Sequence, residues 1–195
     1  MKTSTLAVVL AMSCLVSLPS LAQTYTPKVG LWEVKSVKQV TDGKDMTAQM
    51  NAAQEKMKQA MANMSPEMRA KMEAMTGGMM SGSNGTVKIC MSAAMAAKKE
   101  PVLGKNDQCP PAKISHSGNQ TMFEMSCTRD GHTMNGKGVS TITGDQINTV
   151  MDMTTSSDKG QHTIHSETAM VYLGPDCQGI VPADQLVKNL KDAQH

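Results

Sequence analysis

The sequence predicts an α+β fold: a curved antiparallel β-meander, or a partial barrel, with a methionine-rich two-helix insertion and a short C-terminal helix. Three observations point there. Between residues 112 and 173, short alternating apolar and polar runs recur with Gly, Asn, Asp or Ser between them, the pattern of a meander. Ten of the 20 methionines fall between Met46 and Met80, at helical spacing, with no Leu, Ile, Val or aromatic residue among them. Four cysteines follow the N-terminal segment, an even number that reads as two disulfides.

Residues 1–22 read as an export signal rather than as part of the fold. Lys2 supplies the positive start, Leu6 to Leu18 the apolar run, and Ser20-Leu21-Ala22 the small-residue site, which places cleavage between Ala22 and Gln23. The run is shorter than the ~20 residues a spanning helix needs. No later segment approaches that length of apolar sequence, so no transmembrane segment is expected after cleavage. Cys14 raises a lipoprotein anchor as a rival, but Ala11-Met12-Ser13 lacks the leucine expected three residues upstream of a lipidated cysteine. The expected location is periplasmic or secreted. Removing 22 of 195 residues leaves 173, enough for a single exported domain over 23–195 with a helical insertion at about 45–80. Without Lys2 the chain carries 18 basic and 17 acidic side chains, which excludes nucleic acid binding driven by bulk charge. Trp32, Phe123, Tyr25 and Tyr172 are the only aromatics, so the core is small, and disulfides suit it.

In chain order, Gly30–Val37 is the first strand. Trp32, Val34 and Ser36 take one face, with Trp32 turned into the core; Leu31, Glu33, Lys35 and Val37 take the other. A ligand-stacking role for Trp32 is the rival to that of core anchor. Thr41-Asp42-Gly43-Lys44 is a turn, and Asp45 or Thr47 caps the helix that follows. On it Met46, Met50, Met57, Met61 and Met64 fall within ~60° of one another. Ser65-Pro66 breaks this helix and starts a second, with Ser65 as N-cap, Pro66 in the first turn and Glu67 favourable beside it. Met68, Met72, Met75 and Met79 share one face of the second helix, and Gly77-Gly78 ends it. Thr86–Met91 is a strand, and Ser92–Lys99 favours helix. Ala112–Ser117 and Thr121–Thr128 form a hairpin about Gly118. Thr133–Thr143, Gln146–Thr155 and Gln161–Leu173 are three further strands, with Gly136 and Gly138 marking a bulge or bend in the first of them. Pro182–Leu190 closes the chain as a short helix.

A hairpin centred on Gly118 sets Cys109 opposite Cys127 and leaves Cys90 for Cys177. Cys90–Cys109 with Cys127–Cys177 is the competing arrangement, since Pro110-Pro111 interrupts the register.

An exported chain with Gly30-Leu31-Trp32-Glu33-Val34, a methionine-rich stretch around Ser65-Pro66-Glu67-Met68-Arg69, then Val87-Lys88-Ile89-Cys90 and spaced cysteines resembles the bacterial domain-of-unknown-function family 3617 over about Pro27 to Cys177. The resemblance implies an exported domain and carries over no catalytic residue. Val29 stands where the family pattern leads one to expect proline.

Three constellations bear on function. Met57, Met61, Met64, Met68, Met72 and Met75 put soft thioether sulfurs three or four residues apart, the chemistry of a Cu(I) or Ag(I) site. The same spacing equally makes an adaptable apolar face for a hydrophobic ligand or an envelope protein, and that is the leading reading; sacrificial oxidation is a third. His162 and His165 lie three apart on a strand and so point to opposite faces, unsuited to one ion. No Gly-x-Ser-x-Gly, His-Glu-x-x-His or phosphate loop occurs, and Glu33, Glu124 and Glu167 have no partner in sequence. The expectation is non-enzymatic binding without a cofactor. Cu(I) binding is the alternative, and an enzyme of unrecognised type the second alternative.

Overall fold

The computed structural model describes residues 26–76, 86–98, 109–182 and 184–185. Among the described residues the elements run in the order β1 (Gly30–Thr41), β2 (Lys44–Asp45), α1 (Thr47–Ala62), α2 (Pro66–Thr76), β3 (Thr86–Met91), α3 (Ala93–Lys98), β4 (Lys113–Ser117), β5 (Gln120–Arg129), β6 (His132–Thr143), β7 (Gln146–Ser157) and β8 (Gly160–Gly174). The strands make one antiparallel sheet in the order β2-β1-β8-β7-β6-β5-β4, with β3 also on β1. The path is open, so the sheet does not close into a barrel. The helix expected at Pro182–Leu190 lies outside the described residues except for Pro182, Asp184 and Gln185.

From β5 to β8 the ladders run without a register shift. The hairpin into β5 differs from expectation by half a step: Ser117 stands opposite Gln120, so its centre lies between Gly118 and Asn119. β1 is longer than the alternation predicted. Its pairing with β8 shifts between Ser36 and Lys38, leaving Val37 as an extra, exposed residue. That break reverses the facing of Lys38–Thr41 and hides the strand's continuation from a period-two reading.

The main core lies where β1, β3 and α3 meet the ends of β6 and β7. Trp32, Ile89, Met91, Ala96, Ile142 and Ile147 are buried there, with Val34, Met95, Met170 and Tyr172 against them. Trp32 is fully enclosed, its indole N–H donates to the Lys28 carbonyl (2.9 Å), and the Tyr172 ring meets it edge-on at 5.3 Å. It is a core anchor, and burying so large a ring supplies much of the apolar contact in a chain with few aromatics. Leu31, on the opposite face, is buried too. Cys90, Ile180 and the half-buried Cys177 cover it, so both faces of β1 are enclosed at its start. Gly30 permits this: it has φ +129°, and a Cβ there would lie 2.2 Å from the Gly174 carbonyl oxygen.

Gly136 and Gly138 do not form a bulge, since β6 stays in register with both neighbours. They make room instead. A Cβ on Gly138 would sit 2.4 Å from the Phe123 ring and 2.6 Å from the Val150 carbonyl oxygen; one on Gly136 would sit 3.0 Å from Met125. Phe123 is buried by lying across that missing side chain.

Candidate functional site

The methionine segment forms two helices between β2 and β3, broken at Ser65. The start of α1 is tied to the sheet. The Met46 amide donates to the Gln39 carbonyl (2.7 Å), the Gln39 amide donates to Thr47 Oγ1 (2.8 Å), and the Asp45 carboxylate accepts from the Thr47 amide (2.9 Å). Hydrogen bonding to Thr47 holds the Asp45 carboxyl below its ordinary range. Its negative charge beside the first turn also suits the helix dipole. Ser65 begins α2, its hydroxyl accepting from the Met68 amide (3.3 Å). Arg69 then reaches back, and its guanidinium donates to the Ala62 carbonyl at the end of α1 (2.8 Å). A cation there satisfies an orphan carbonyl and complements the helix terminus, so the two helices are joined by charge as well as by chain.

Beyond that tether α1 stands away from the core. It buries no residue. Met50, Met57 and Met68 are 37%, 44% and 57% exposed, while Met61, Met64 and Met72 are half-buried. Met75 lies in α2 with its side chain outside the described part, and Met79 lies outside altogether. None of the described methionines on the two helices belongs to the buried core clusters, and Met50, Met57 and Met68 are exposed.

The histidines behave as their strand spacing implies. His162 Nδ1 meets Asp42 (2.7 Å), whose other carboxylate oxygen accepts from the Thr163 amide (2.7 Å). The His162 and Thr163 bonds hold the Asp42 carboxyl below its ordinary value. His165 lies between two carboxylates, Nδ1 to Asp152 (2.7 Å) and Nε2 to Glu167 (3.2 Å), and Lys38 adds a 3.8 Å ion pair to Glu167. The Asp152 bond first, then Glu167, raises the His165 pKa. Both ring nitrogens are occupied by carboxylates on opposite sides of the ring, so the group is a tie across β7, β8 and β1 rather than a chelate. No cluster of three or more His, Cys, Asp or Glu able to hold a metal occurs among the described residues. Sequence reading missed this tie because Asp152 stands opposite His165 only through the β7–β8 register. Of the other acidic candidates, Glu33 accepts from the Thr86 hydroxyl (2.9 Å) and Glu124 is exposed.

Cys90 and Cys177 are joined with Cα atoms 5.4 Å apart, as are Cys109 and Cys127 at 5.1 Å. The first links β3 to the segment after β8. The second links the approach to β4 with β5, the strand beside it near that edge of the sheet. Both fit an oxidising compartment. The cleavage residues Ala22 and Gln23 lie outside the described residues. No helix among the described residues is long and apolar enough to cross a membrane.

A family model described as "Protein of unknown function (DUF3617)" matches residues 27–177, most of the chain. The chain belongs to the DUF3617 family. The DUF3617 match runs from the lead-in to β1 through Cys177, so it includes the Trp32 core, both methionine helices and all four cysteines of the two disulfides. No curated protein and no solved structure matches the chain. Membership in DUF3617 therefore fixes kinship without assigning a reaction, and the functional reading rests on the geometry above.

Proposed function

We propose that this DUF3617 protein is an exported, non-enzymatic binding protein that offers the methionine face of α1 and α2 to an apolar surface on an envelope protein. One observation carries the reading: the helices present aligned methionines, yet α1 buries none of its residues. An apolar face left in water costs free energy that a partner recovers, about 25 cal/mol per Å² covered. Unbranched thioethers adapt to an irregular partner surface. At 1.5 Å per residue, α1 alone offers a strip ~24 Å long, which suits a protein surface better than a small hydrophobic ligand. The signal-like residues 1–22 and the two disulfides support export. The dye 8-anilinonaphthalene-1-sulfonate tests for an apolar face in the folded protein. Native protein enhances its fluorescence, and Met50, Met57 and Met68→Gln together remove most of that signal. Enhancement unchanged in the variant contradicts the reading.

The exposure of Met57 and Met68 also favours a second reading, Cu(I) or Ag(I) held by thioethers on adjacent turns. Titration of Cu(I) against a competing chelator separates the two. Affinity lost in Met57, Met61, Met64 and Met68→Leu supports the metal, because leucine keeps the apolar face and removes the sulfur. Affinity unchanged in that variant removes it.

A further inference from the structure

The outer face of the sheet carries a second feature, remote in sequence from the methionine helices. Lys113 on β4 stands directly opposite Glu124 on β5, Glu124 opposite Lys137 on β6, and Lys137 opposite Asp152 on β7. The sign alternates at every strand. Directly opposed residues project to the same face, and neighbouring strands lie ~4.8 Å apart, so the row is a charge lattice of that period. All four side chains are exposed. Asp152 is committed to His165, but Lys113, Glu124 and Lys137 make no ion pair among the described residues. Beside the row, one step along each strand's face, the Ser126 hydroxyl donates to Asn135 Oδ1 (2.7 Å), which leaves the Asn135 NH₂ free to donate next to Lys137. These groups line a trough of about 560 Å³, within the range of small-ligand sites. Among the described residues no aromatic ring lines it, which disfavours stacked sugars or bases.

A groove with opposite charges one strand spacing apart matches a ligand with the same two charges at the same spacing, laid antiparallel to the protein dipole. We propose that the trough binds a short zwitterion, an ammonium group linked to a phosphate or carboxylate. The ammonium rests on Glu124 and the anion on Lys137 and the Asn135 NH₂. Asp152 is engaged by His165, and Glu124 stands between Lys113 and Lys137; the Asn135 NH₂ on β6 adds a second donor on the Lys137 side, which selects the Glu124–Lys137 pair for the ligand. The chemistry is shared by a free zwitterion and by a zwitterionic lipid headgroup.

The test is ¹⁵N chemical-shift mapping of the disulfide-intact mature chain with O-phosphoethanolamine, and with ethanolamine and inorganic phosphate as single-charge controls. The expected result is shifts centred on residues 124, 135 and 137, with each control binding about tenfold more weakly, and with Glu124→Gln and Lys137→Gln each weakening the zwitterion about tenfold. Both substitutions are on exposed side chains, and an unchanged thermal melt verifies the fold. Co-sedimentation with phosphatidylethanolamine vesicles distinguishes the sources: binding that depends on Lys137 assigns a lipid headgroup, and its absence alongside the solution shifts assigns a free zwitterion. No shifts with O-phosphoethanolamine, equal binding by either control, or binding indifferent to both substitutions overturns the proposal.

Discussion

Removing the Cys90–Cys177 bridge should cost this protein more stability than removing Cys109–Cys127. The two cysteines of the first are 87 residues apart, those of the second 18. Closing a loop in the unfolded chain removes entropy that grows with the logarithm of its length, which gives about 4.5 kcal/mol for the longer loop and about 3 kcal/mol for the shorter. Each bridge has one well-buried partner, Cys90 at 4% exposure and Cys127 at 8%, so the packing loss on substitution by alanine is similar in both. The difference of about 1.5 kcal/mol therefore reflects chain entropy. Urea unfolding of residues 23–195, of the Cys90→Ala/Cys177→Ala variant and of the Cys109→Ala/Cys127→Ala variant measures it through the transition midpoints. The longer loop takes a large share of a typical margin of ~5–15 kcal/mol. A reversed order, or a loss below about 1 kcal/mol for Cys90→Ala/Cys177→Ala, would refute the argument.

Two further outcomes follow from the sheet. Gly138→Ala destabilises by about 1–3 kcal/mol, because its Cβ meets both the Phe123 ring and a backbone oxygen; Phe123→Leu restores part of the loss, while Gly136→Ala, facing only the flexible Met125 side chain at close range, costs less in the same melts. The His165 tie contributes stability fully below its unfolded pKa of about 6.5 and loses it as pH rises through the higher folded value; the Asp42 contact behaves oppositely, lost as pH falls through a value below the ordinary carboxylate range. An NMR titration checks the first: the His165 imidazole titrates above the free-histidine value and moves down in Asp152→Asn, whereas a midpoint at or below about 6.5 contradicts it.

Much of the sheet was legible because each strand carries its own signal. Turn residues such as Asp130-Gly131 and Gly144-Asp145 separate β5, β6, β7 and β8, and alternation between them marks which side chains face inward. What failed depends on pairing. The extension of β1 to Thr41 was hidden because the Val37 bulge resets the alternation. Leu31 reads as the outer neighbour of Trp32 until Cys90 and Ile180 are brought over it. Gly136 and Gly138 read as a bend, since nothing in β6 itself announces that Phe123 needs their space. The same reason hid the charge row: Lys113, Glu124, Lys137 and Asp152 each look like an ordinary solvated position, and only four-strand register lines them up. The methionine helices were legible as helices from spacing, Ser65 and Pro66. Whether they pack on the sheet was not, because a methionine stripe has the same pattern in a core and on an open surface.

That last distinction is central, and one thermal melt addresses it. Replacing Met57, Met61, Met64 and Met68 together by glutamine keeps helix propensity nearly constant. Were these side chains core, each would contribute ~1.5–3 kcal/mol, and the sum would consume the stability of a typical domain. An exposed or half-exposed face predicts a Tm within about 4 °C of the parent, with the sheet intact and the dye-binding face gone. A fall of more than about 10 °C, or an unfolded product, would mean that the methionine helices belong to the core and would contradict their assignment as a binding surface.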